Sequence, residues 1–244
     1  MRRGGARAAA LLPVHARAAG TVRVIHLLIP KGYPVTPVPL DDLAVALGAV
    51  GDLVAAVRPG QWRDPTPCRE WNVRELVNHL VMGNRLFTGV LRGEAVTSPG
   101  ALDPKTTDAL GADPVAAYTG AARALTAAFG RPGALERVVV VPFGAVPGIV
   151  AVHLRITEAL VHGWDLARAT GQQPRLPGDI VERNLEFTRG ALPDVPAGRM
   201  PFAPPQPVSD TAPAIVRLTA LLGRSPAGPA EHGGVAGVED PEPG

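Results

Sequence analysis

The chain has 244 residues, a net charge of +2 and one cysteine; hydrophobic residues make up 46% of it and aromatic residues 4%. A single cysteine excludes an intrachain disulfide framework and zinc sites with two or more thiolates, and the scarcity of aromatics leaves a core of Ala, Val and Leu, in which abundant alanine favours helices. The positive charge is no nucleic-acid signal: residues 1–37 carry six basic side chains and no acidic one, the remaining 207 carry 18 basic and 22 acidic, and a duplex-binding surface needs Lys and Arg clustered on an ordered face.

Residues 1–37 read as a disordered leader or as a start assigned too far upstream. Their apolar run, AAALLPV, is short and contains a proline, unlike a secretory signal. Leu43, Val45/Ala46, Leu47, Val50, Leu53/Val54 and Val57 recur with a 3.6-residue period and predict a first helix over 40–57, stopped by Pro59-Gly60. Asn72 followed by Glu75 is a capping-box pattern and predicts a second helix over 73–92, with His79 on the flank of its apolar stripe. A Gly-, Thr- and Pro-rich loop fills 93–112, and Asp113-Pro114 opens an alanine-rich third helix to about Phe129. The β-branched run at 136–144 predicts one extended segment, with a short partner near 145–149. A fourth helix is predicted from about Pro147 to Ala169 with Gly171 as its stop, a fifth over 179–191, a Pro-rich covering loop, and a short helix over 212–223. The Gly-, Pro- and Glu-rich tail over 225–244 reads as disordered. No apolar run reaches the length of a membrane span. Residues 38–224 are therefore expected to form one all-α bundle of four main helices with a short extended segment and extra C-terminal helices.

In "TEALVHGWDLARATGQ" (157–172), Glu158 and His162 stand one helical turn apart. Such a pair is weak evidence alone, since chance gives about one in four in a chain of this composition. The line Arg155, Glu158, His162, Asp165 borders the apolar face of helix four, and His79 has the matching position on helix two. Bundle metal sites are built from such residues on facing helices. Two imidazoles and one carboxylate leave an open coordination position and suit Zn²⁺, with Ni²⁺ or Fe²⁺ as alternatives. Taken singly, His79 also fits a partly exposed histidine and Glu158 a surface acid. Asp165 fits either a group that orients His162 or a local pair with Arg168, and Arg155 joins it as a supporting residue. Cys68, with only Arg69 as a neighbouring cation, reads as structural. Trp164 reads as packing, His153 lies off the stripe, and His15, His26 and His232 lie in the expected disorder.

"PTPCREWNVRELVNHLVMGNRLF" (65–87), "LRITEALVHGWDLARATGQ" (154–172) and, more weakly, "VPFGAVPG" (141–148) resemble the signature segments of the DinB-like superfamily. The closer resemblance is to its actinobacterial branch related to the N-terminal domain of mycothiol-dependent maleylpyruvate isomerase, an origin with which two lysines among 24 basic residues and the Ala, Gly and Pro load of a GC-rich genome agree. It spans about residues 38–224. It implies a four-helix bundle with a metal triad on His79, Glu158 and His162, a bound divalent metal, and mycothiol as cosubstrate. The implied function is a thiol S-transferase or isomerase-like metalloenzyme in the cytoplasm, acting on a small electrophile, with no nucleic-acid or membrane partner, and the analogy with DinB-like proteins adds a homodimer as the expected assembly. The alternatives are a metal-binding regulatory or binding module without turnover, and a bundle without metal. Residues 1–37 have no counterpart in the resemblance, and too few residues follow residue 190 for the full second domain of the isomerase.

Overall fold

The structure is a computed structural model and describes residues 39–94, 103–141, 144–191 and 202–226. The predicted leader at 1–37, most of the tail and part of the Pro-rich loop lie outside the described residues. The elements in chain order are helices α1 (Pro39–Ala55), α2 (Val73–Arg92) and α3 (Pro114–Phe129), strands β1 (Val138–Val141) and β2 (Gly144–Pro147), and helices α4 (Gly148–Thr170), α5 (Gly178–Ala191) and α6 (Ala214–Leu221).

Helix boundaries follow local chemistry. The Asn72 side chain accepts from Glu75 N and the Glu75 carboxylate accepts from Asn72 N, both at 2.9 Å, which closes the capping box that starts α2. Asp113 caps α3 by accepting from Ala116 N. Left-handed glycines, Gly93 and Gly171, end α2 and α4. Helix α6, expected over 212–223, spans only Ala214–Leu221, and the end of α1 also differs from expectation. Helix α1 ends at Ala55, and Pro59–Arg63 forms a 3-10 turn. Its Gln61 side chain accepts from Arg58 N and donates to Thr170 O at 3.0 Å, so a contact 109 residues away fixes that turn. Gly144, expected in the single strand, instead starts the second strand of an antiparallel hairpin that pairs Val138 with Pro147 and Val141 with Gly144.

Helices α1 to α4 pack in a ring, with α1 against α3 and α4 and α2 against the same two. The hairpin lies on α2 and α4, burying Val139 and Val141, and α5 and α6 cover the outer side of α4. Helix α4 is thus surrounded. Along its 23 residues only Arg168 is exposed, whereas the sequence periodicity marks a one-sided apolar face. Two glycines permit this. A Cβ on Gly163 would sit 3.0 Å from Val50 Cγ2, so its absence lets α1 and α4 approach. A Cβ on Gly148 would run into the carbonyl of Ala134, and the main chain there is tied by Gly148 N to Arg137 O and Ile149 N to Leu135 O.

Gly148→Ala should therefore lower stability by about 1–3 kcal/mol, the usual range for overpacking against backbone. Gly120→Ala, on the exposed side of α3 with open space around it, should be neutral or stabilising by up to about 1 kcal/mol. Urea denaturation of the two variants checks both.

Candidate metal centre

His79 stands two turns into α2, Glu158 and His162 in the middle of α4, and the ring arrangement sets these two helices side by side. His79 Nε2 lies 3.0 Å from Glu158 Oε2, and His162 Nε2 lies 3.5 Å from the same oxygen. One ligand atom from each of the three residues falls within 4.8 Å of the others. The His79 and Glu158 side chains are 26% and 20% exposed and His162 5%, so the group opens to solvent from the α2 side and closes toward the core.

The ring of Trp71, just before the α2 cap, is tilted against His79 at 4.4 Å and lies 5.8 Å from His162. Its loop is held by Thr66 Oγ1, which donates to Trp71 O and Cys68 O. Behind His162, Nδ1 lies 3.0 Å from Asp165 Oδ2. Asp165 is fully buried, and Arg224 donates Nη2 to the same oxygen at 3.0 Å. A fixed partner on Nδ1 sets which imidazole nitrogen faces the open side; with Nδ1 held by Asp165, Nε2 is the nitrogen turned toward Glu158.

The electrostatics agree with this wiring. Burial opposes ionisation of Glu158, but the hydrogen bonds and charges of His162 and His79 outweigh it and hold the carboxyl well below its usual range. Burial lowers the pKa of His79. Burial also acts to lower that of His162, but Asp165 and Glu158 together raise it. Burial pushes the Cys68 thiol up to about 11 despite Arg224 nearby.

The structure thus brings His79, Glu158, His162 and Asp165 together. Arg155 has no direct bond to the three-residue group among the described residues; its Nη2 donates to Asn84 Oδ1 at 2.9 Å and its guanidinium lies over the Phe87 ring. Asp165 pairs with Arg224 and not with Arg168, which lies over Trp164. His153 stacks on Phe187 in the core, away from the group. Cys68 also falls within 4.8 Å of His162 and Asp165 ligand atoms, but the Arg224 guanidinium already supplies the cation there. Trp71 and Arg224 escaped the sequence reading. Trp71 is eight residues from His79 across a helix start, and Arg224 is 59 residues from Asp165, so neither spacing carries a periodic signal.

The family model of the mycothiol maleylpyruvate isomerase N-terminal domain matches residues 43–167. An uncharacterized protein of Mycobacterium tuberculosis, in each of two strains, is 36% identical over 181 residues, covering 74% of this chain and 94% of its own length. Among solved structures, mycothiol-dependent maleylpyruvate isomerase aligns with 16% identity and a TM-score of 0.48. A histidine-to-alanine mutant of that enzyme aligns with 15% identity and a TM-score of 0.50; each comparison covers 66% of this chain and 70% of the other. At these identities the likeness concerns the fold alone.

Arg224→Met removes the charged partner of a buried carboxylate and should cost about 1.5–3 kcal/mol in thermal or urea unfolding. Adding Asp165→Asn should return part of that loss, a coupling that a double-mutant cycle reads directly. The raised thiol pKa has a separate consequence. At pH 8 Cys68 should alkylate with iodoacetamide about a hundredfold more slowly than an unperturbed thiol, with the rate climbing toward pH 11, because the thiolate is the reactive form.

Proposed function

Because the chain belongs to the family of mycothiol maleylpyruvate isomerase N-terminal domains, we propose that it is a metal-dependent thiol transferase or isomerase-like enzyme whose centre is His79, Glu158 and His162. The observation that carries this reading is one carboxylate oxygen within 3.5 Å of two imidazole nitrogens from different helices, with the second ring anchored from behind by a buried Asp165–Arg224 pair. The donor set fits a divalent cation: two imidazoles and one carboxylate converge, with no fourth protein ligand in that group among the described residues, the composition of open zinc sites, and Ni²⁺ and Fe²⁺ share the preference. Such a cation, when bound, supplies Lewis acidity that favours the thiolate form of a low-molecular-weight thiol, mycothiol in this reading.

The chain's own residues do the rest. Glu158 stays ionised and joins α2 to α4. Asp165 keeps His162 turned with Nε2 forward, and Arg224 offsets the charge that Asp165 would otherwise leave unpaired in the core. Trp71 covers the face of His79 and fills space beside the open side, limiting water there. The reaction class is attack of the thiol sulfur on a small electrophile, ending in S-transfer, conjugation or cis–trans isomerisation. The reading places the protein in the cytoplasm, where thiols are kept reduced, and takes residues 38–224 as its functional unit. No helix among the described residues is long and apolar enough to cross a membrane.

Elemental analysis of the purified protein should find about one equivalent of divalent metal, and His79→Ala should lose it. Protein without metal in both forms would overturn the centre. In cobalt-substituted protein, mycothiol should shift the visible spectrum. A spectrum that mycothiol leaves unchanged, in protein that does bind cobalt, would refute the thiol chemistry and favour a binding module instead.

A further inference from the structure

One helical layer below the triad, Arg155 on α4 stands three residues before Glu158, and Asn84 on α2 stands five residues after His79. Both are buried, Arg155 at 3% exposure and Asn84 at 0%. Arg74, Arg183, Arg217 and Arg224 each meet a carboxylate. Arg155 meets none within ion-pair distance among the described residues, and Glu158, its neighbour on α4, commits its oxygen to two imidazoles. Glu158, one turn along α4, acts on the Arg155 charge through space without forming an ion pair, and a buried charge with no direct ionic partner is unfavourable.

Two donors show where that compensation is missing. Arg155 Nε and Asn84 Nδ2 are buried and have no hydrogen-bond partner. The bond between Arg155 Nη2 and Asn84 Oδ1, 2.9 Å long, holds the two side chains together. Both orphaned atoms can only donate, so an acceptor between them would answer both. The surroundings fix the guanidinium. A Cβ at Gly83 would lie 2.7 Å from Arg155 Nη1, so the guanidinium as placed packs against the bare main chain of α2 at that glycine. The Phe87 ring supports it at 5.1 Å.

We propose that Arg155 and Asn84 form an anion subsite on the floor of the centre, one that takes a carboxylate oxygen of a small acidic ligand. The subsite stands on its own; its use for substrate rests on the enzymatic reading above, in which the electrophile then bears a carboxylate that orients it beneath His79 and Glu158. A neutral acceptor such as water would satisfy the two donors and leave Arg155 without an ion-paired carboxylate.

The test uses the full-length chain, as purified and after chelation with the chelator dialysed away. Fluorine NMR follows trifluoroacetate binding and its displacement by acetate, with acetamide as the neutral isostere. Saturable, acetate-displaceable binding in both metal states, untouched by acetamide, is expected. Arg155→Met should weaken it at least about tenfold, as loss of a charged hydrogen bond does, and Arg155→Lys should restore part of it. Asn84→Asp is the control that preserves the fold. It sets a carboxylate of the chain's own against Arg155, so it should abolish binding and raise the melting temperature. Binding that appears only in the metal-loaded protein, or that survives both Arg155→Met and Asn84→Asp, overturns the subsite. Absence of saturable binding overturns it too and leaves an internal water only. Purified protein without metal would sink the metal centre while leaving carboxylate binding to be measured, so the two proposals fail separately.

Discussion

A polar side chain inside a helix bundle has to be answered from another element, because water cannot reach it and an unanswered group is costly. Helix α4 has other elements packed around it yet carries Arg155, Thr157, His162 and Asp165 buried and Glu158 half-buried. Four of the five reach into other elements. Glu158 holds His79 of α2, Arg155 holds Asn84 of α2, Thr157 donates to Asn184 of α5, and Asp165 holds Arg224 beyond α6. At its C-terminal end, the Thr170 carbonyl accepts from Gln61 of the 3-10 turn. Apolar packing supplies most of the driving force for folding, but these bonds decide how the elements are placed around α4. The candidate centre is one of several such cross-links, the one that reaches the surface.

The charges along α4 are arranged so that none is isolated by more than a turn. Arg155 precedes Glu158, and Asp165 is matched by Arg224. Counted over these four groups, the centre is neutral. A divalent cation on the triad would make it positive, and a positive, half-enclosed cleft favours anionic ligands, a thiolate above all. The thiol chemistry proposed for the centre and the carboxylate subsite proposed beneath it are therefore two readings of one charge distribution.

Support for the ligands comes from outside α4 as well. His79 inherits its position from the Asn72–Glu75 cap, one turn away. Just before it on α2, Asn78 is tied to the 103–109 loop by accepting from Ala109 N and donating to the carbonyls of Pro104 and Thr107. Trp71, at the other side of the cap, keeps the imidazole face covered. Cys68 shares that loop, yet burial holds its thiol pKa up at about 11, so the chain's one cysteine is a weak nucleophile at neutral pH.

Much of this was legible in the chain itself. Asn72 and Glu75, Asp113 and Pro114, and Gly171 mark helix ends through contacts within four residues, so they act alike in any fold, and the predicted bounds of α2 and α3 match the structure. The resemblance of residues 65–87 and 154–172 to family signatures identified the bundle and singled out His79, Glu158 and His162, which the fold brings together. Periodicity could not reveal that α4 has other elements packed around it, because burial of its polar flank depends on α5, α6 and the hairpin arriving there. Nor could it reveal the choice of Arg224 over Arg168 for Asp165, the Gln61–Thr170 tie that forms the 3-10 turn, or the retreat of Arg155 from the triad to Asn84. Those are decided by tertiary structure, since each depends on which residue distant in sequence lies within about 3 Å of a buried polar atom, and no local pattern encodes that distance.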